Sequence, residues 1–140
     1  MEYKKFGNKY IIRVDKGEEI ITTVKSLCEK EAITLGWING FGAVNKVELG
    51  LFKTVEKEYS VRTLEDDFEI TSLMGNISTK ENEVYLHMHI SLSDIENKAF
   101  GGHLNSAYVS ATAELVIESM EGKVNRKFSK EIGLNLYDFS

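Results

Sequence analysis

The sequence predicts an α+β domain, a large and mostly antiparallel sheet with one main N-terminal helix. Two observations carry that expectation. Helical spacing of apolar residues occurs in one stretch, residues 18–35, while most of the rest alternates or runs in short β-branched clusters. The chain also has no proline, so its turns must use Gly, Asn and Asp. At 140 residues, positions 1–140 read as a single domain, with no repeat, low-complexity tract or linker.

The elements follow in order. Tyr10 to Val14 is a short apolar run. From Glu18 to Leu35, residues Ile20, Ile21, Val24, Leu27, Cys28, Ala32 and Leu35 fall on one helical face, opposite Glu18, Thr22, Lys25, Glu29 and Lys30. Asp15 is the expected N-cap, with Glu18 completing a capping box and Gly36 as the stop. Trp37 to Val44 holds Gly40 and Gly42, the mark of a kinked strand or close backbone approach. Val47, Leu49 and Leu51 alternate with Glu48, Gly50 and Phe52. Phe68 to Ile77 and Val84 to Leu92 read as strands joined by a turn at Thr79–Asn82. Tyr108 to Met120 is a long strand rich in Val, Ile, Thr and Ala, and Asn125 to Leu136 closes the chain. One helix cannot cover both faces of such a sheet, so self-association is expected.

Composition narrows the function. Hydrophobic residues at 42% and charged residues at 28% are those of an ordinary folded domain. The formal charge of −5 lacks the basic excess of a bare nucleic-acid binder. Nothing resembles an apolar membrane span or a signal peptide. A single cysteine, Cys28, cannot close an intrachain disulfide, which points to a reducing cytoplasm. On the helix's apolar face it reads as a structural thiol rather than a nucleophile. Gly40-Phe41-Gly42 is too short and wrongly placed for a dinucleotide fingerprint, so no organic cofactor is expected.

The sharpest signal is histidine. All three histidines lie in one window: His87, His89 and His103. On a strand, residues two apart share a face, so His87 and His89 project side by side while Leu86, Met88 and Ile90 face the core. Gly101 and Gly102 carry no side chains, which lets His103 approach closely. Three neutral imidazoles make an open divalent-metal site, zinc first, although imidazole also suits iron, copper or nickel. The competing reading is a polar strand face with no ion. Asn105 lies near His103, and Glu114 sits on a strand face with Thr112 and Val116. Glu114 is either a solvated side chain or an acceptor that orients a ligand imidazole. No general base is identifiable, so no reaction type follows.

Gly40-x-Gly42-Ala43, Phe68-Glu69-Ile70, Gly75-Asn76-Ile77, Leu86-His87-x-His89, Gly101-Gly102-His103-Leu104 and Ala113-Glu114 together resemble the plant- and prokaryote-conserved domain, PPC or DUF296. The resemblance spans nearly the whole chain, and the His-x-His and Gly-Gly-His-Leu motifs are its most specific part. It implies an α+β fold assembled as a homotrimer, with a metal at the three histidines in prokaryotic relatives. It also implies a DNA-binding label, taken largely from plant members that carry an AT-hook. This chain has no Arg-Gly-Arg and no proline, hence no AT-hook. The plant partner-binding motif Gly-Arg-Phe-Glu-Ile-Leu corresponds here to Asp66-Asp67-Phe68-Glu69-Ile70-Thr71.

Three functions are therefore open. The first is a trimeric metal protein that binds or acts on a small molecule. The second is a DNA-associated regulator, and the third is an assembly module whose histidines only support the fold. The first requires bound metal, the second salt-dependent DNA binding.

Overall fold

The computed structural model describes all residues from Met1 to Ser140. The elements are β1 (Glu2–Phe6), β2 (Lys9–Asp15), α1 (Ile20–Lys30), β3 (Gly36–Lys53), β4 (Glu58–Lys80), β5 (Glu83–Ser93), β6 (Ala99–Ser119), β7 (Asn125–Ser129) and β8 (Leu134–Asp138). The expected α+β class and mostly antiparallel sheet are what forms. No helix is long and apolar enough to cross a membrane.

The helix starts and stops inside its expected span. Glu19, not Asp15, is the N-cap, and its carboxylate accepts from the Ile21 and Thr22 amides. Only half of the expected Asp15–Glu18 box forms: the Asp15 amide donates to Glu18 Oε2 at 2.8 Å, while the Glu18 amide donates to the Asp15 carbonyl rather than to its side chain. The start moves because strand β6 holds the preceding turn: the Gly17 amide donates to the Val109 carbonyl, and the Val109 amide to the Glu18 carbonyl. Glu19 also accepts from the Ala107 amide. The helix stops at Glu31, and Ala32 turns left-handed at φ 54°. Gly36 therefore opens β3 rather than ending the helix. A side chain there would sit 2.8 Å from the Glu118 carbonyl oxygen of β6.

Strands are longer than the sequence suggests. Trp37–Val44 and Val47–Phe52 are one strand, which takes its irregularities between Gly40 and Gly42 and between Val44 and Lys46. The closing segment splits into a hairpin, β7 with β8, joined to β4 through Thr79 and Asn125. The central topology is a closed circuit. Strand β3 pairs with β4 and β6, and β5 pairs with those same two strands. The circuit closes where residues 89–93 meet residues 99–103.

The core sits on the helix side. Ile20, Val24, Leu27 and Cys28 of α1 join a buried cluster with Ile38, Leu73, Ile77, Met88, Ile90, Leu115 and Ile117 from the strands. The other face is partly bare. Register places Ile11, Trp37, Phe41 and Met74 on that side, each 43–58% exposed. His89 lies opposite Met74, so the histidines border this apolar face.

Candidate metal centre and its cavity

Strand alternation puts His87 and His89 on one face of β5, and register brings the third ring to them. His89 is the partner of His103 across the β5–β6 ladder. Gly101 lets that ladder close, and Gly102 lets β6 close against β3 on its other side. A Cβ at Gly101 would meet the Ile90 carbonyl oxygen at 2.2 Å, and one at Gly102 the Gly50 carbonyl oxygen at 2.9 Å. Next along the row, Gly50 lies opposite His103. The Tyr59 ring occupies the space a side chain at Gly50 would take and meets His103 edge-on, centroids 5.6 Å apart.

All three imidazoles come from one chain, with ring centroids 5.2–5.5 Å apart. Their nearest nitrogens lie within 4.8 Å of one another. The His87 and His89 Nε2 atoms are 3.3 Å apart. Tetrahedral ligands at ~2.0–2.1 Å from zinc are themselves ~3.3 Å apart. The donor set therefore fits a divalent cation, and side-chain rotation closes the remaining spread.

Electrostatics keep two of these rings, His87 and His103, available as neutral ligands. Burial, then the charge of Arg126, then His89 lower the pKa of His87. Burial, with His87 and His89 behind it, lowers that of His103 to about 4. Neutral imidazole is the form that ligates metal.

The rings open into a cavity of about 630 Å³. Its floor is the sheet around Gly50, Tyr59, Tyr85 and the histidines, and its far wall is the β7–β8 hairpin, through Arg126, Phe128, Leu134 and Leu136. Arg126 Nε donates to Ser78 Oγ at 2.8 Å, Nη1 to the Asn135 carbonyl at 2.9 Å and Nη2 to Asn76 Oδ1 at 2.7 Å. Its guanidinium also stacks 4.8 Å from the Tyr85 centroid and 4.4 Å from that of Tyr137.

The three expected ligand residues are thus brought together. Glu114 and Asn105 are not brought to this cavity. Glu114 is exposed opposite Arg13 and Phe41, in a separate hollow with Glu2, Tyr3 and Lys4. Asn105 sits at the irregularity between the Glu48–Ser106 and Leu49–Leu104 pairs. Sequence reading missed Arg126, Tyr59 and Tyr85. A lone arginine in a polar strand carries no local signal, and these residues meet the histidines only through long-range pairing.

Comparisons with known proteins agree with this architecture. The profile of the Plants and Prokaryotes Conserved domain matches residues 1–121. A solved structure from Bacteroides thetaiotaomicron, provisionally described as a DNA-binding protein, is 38% identical with TM-score 0.96, covering 99% of this chain and 96% of that one. A plant- and prokaryote-conserved protein from Pyrococcus horikoshii is 37% identical with TM-score 0.87, covering 98% and 94%. A protein from Archaeoglobus fulgidus described as metal-containing is 29% identical with TM-score 0.87, covering 98% of each chain. No curated protein matches. The family match over most of the chain and the shared fold around the histidines lead to one assignment: this chain belongs to the plant- and prokaryote-conserved domain family.

Proposed function

We propose that this chain is a homotrimeric metal protein, in which His87, His89 and His103 hold one divalent cation, zinc, beside a cavity for a small molecule. The observation that carries the reading is the convergence of three imidazoles whose nitrogens lie within 4.8 Å. The metal-containing relative from Archaeoglobus fulgidus supports it. A zinc ion there supplies Lewis acidity with a coordination position left for a ligand. The chain's own part is to present neutral rings, fix His103 against Tyr59, and screen one side with the β7–β8 hairpin. The bare face with Ile11, Trp37, Phe41 and Met74 supports the trimer, since apolar surface of this kind is covered by association. A cytoplasmic location accords with Cys28, a buried free thiol.

Elemental analysis of protein loaded with zinc and then dialysed tests the reading. About one zinc per chain should remain, falling sharply in His103→Ala. Retention below a tenth, with the rings intact, would leave the histidines as parts of an assembly module.

A DNA-associated role is the second reading, favoured by the description given to the relative from Bacteroides thetaiotaomicron. The net charge of −5 favours only weak direct binding to duplex DNA. A sub-micromolar Kd at ~150 mM salt, tighter than ordinary non-specific binding, would promote this reading over the first.

A further inference from the structure

We propose that the cavity selects a small molecule with an anionic head and an apolar body, the head held by Arg126 beside the three histidines. The proposal rests on the metal reading for one end of the site only; the Arg126 end stands on separate observations.

Arg126 lines the cavity and has no carboxylate within ion-pair distance; the chain's ion pairs are made by the N-terminus, Lys5, Arg13, Lys25, Lys46 and Lys98. A half-buried guanidinium without a counter-charge is costly unless something supplies one. Its three neutral partners, Ser78, Asn76 and the Asn135 carbonyl, position it without neutralising it. A guanidinium has five N–H groups. Those partners take one from each nitrogen, which leaves one on Nη1 and one on Nη2. The rings of Tyr85 and Tyr137 hold its plane in place. A fixed, uncompensated guanidinium with two spare donors recognises a carboxylate or phosphate group.

The same cavity fixes the rest of the ligand. Leu51, Phe52, Phe128, Leu134 and Leu136 line it, so the body that follows the anionic head is apolar. About 630 Å³ accommodates an aryl or short alkyl group. The hairpin that supplies Arg126, residues 125–138, lies beyond the family match at residues 1–121. The residue that holds the anionic head is thereby separated in the chain from the metal-binding motifs.

The test is titration of zinc-loaded protein with phenylacetate, phenyl phosphate and phenylacetamide, followed by the ¹⁵N-labelled Arg126 Nε–H resonance. Either anion should shift that resonance saturably, and the tighter of the two names the head group. The neutral amide should bind at least tenfold more weakly. Arg126→Lys, which keeps the charge but loses the fork, should weaken the anion at least tenfold. Should that variant fail to fold, the wild-type comparison of anion with amide decides. Equal binding of anion and amide, or no saturable shift with either anion, overturns the proposal even if zinc is bound. Anion binding that survives in His103→Ala separates the Arg126 site from the metal, and anion binding by wild-type protein that retains no zinc supports the Arg126 site while removing the metal reading.

Discussion

Replacing Gly101 by alanine tests how the site is built. In an ordinary strand position this change is mildly favourable, because it removes ~0.4–1 kcal/mol of unfolded-state entropy. Here the new methyl would lie 2.2 Å from the Ile90 carbonyl oxygen, 3.0 Å from Ser91 Cα and 3.1 Å from the Ile90 carbonyl carbon. All three are backbone atoms of β5, so no side chain can swing aside. Relief requires the β5–β6 ladder to part, at an overpacking cost of ~1–3 kcal/mol or more. That outweighs the entropic gain, and a net loss of ~2 kcal/mol is expected. For a chain of 140 residues it corresponds to a fall in Tm of roughly 6–10 °C at fixed protein concentration. Parting the ladder also withdraws His103 from His89, its partner across it, so zinc affinity should drop with stability. Gly102→Ala should cost less, because its single close contact is 2.9 Å and the next lies at 3.8 Å. Urea denaturation and zinc titration of the three proteins measure both effects. A Gly101→Ala protein with wild-type stability and zinc affinity would refute the claim that this close approach positions the third ligand.

Other outcomes follow from the same structure. Because folding lowers the pKa of His103 to about 4 and also lowers that of His87, the unfolded chain takes up protons first as pH falls. Stability of the zinc-free protein should be full above about pH 6.5 and decline towards pH 4, with a shallower decline in His103→Ala; urea midpoints across that range check it. Cys28 is fully buried and its thiol is pushed up to about 12, so a thiol reagent at pH 8 should label it only after denaturation. Light scattering should give three times 15.8 kDa, and charge placed at Phe41 and Met74 should dissociate the assembly; a wild-type monomer at micromolar concentration contradicts the trimer.

Much of this site is legible in the sequence because strand geometry has a period of two. Spacing alone puts His87 and His89 side by side, and their neighbours Met88 and Ile90 are buried as alternation requires. The glycines before His103 mark the close approach. What stays hidden is set by contacts between distant residues. The helix begins at Ile20 because β6 captures the turn before it, through partners about ninety residues away that no local pattern displays. Strand β1 is mostly exposed and charged, so it has no apolar signature of its own. The pairing of β5 with both β4 and β6 decides that His89 faces His103, and alternation cannot choose among partners. Arg126 joins the site only because the β7–β8 hairpin folds back over Asn76 and Tyr85.

The proposed metal centre requires that three imidazoles of one chain share a cation. The most direct measurement is anomalous diffraction at the zinc edge from crystals of the zinc-loaded protein. One peak per chain is expected at ~2.0–2.1 Å from one nitrogen each of His87, His89 and His103. Zinc-loaded crystals with ordered histidine rings and no anomalous peak among them would contradict it.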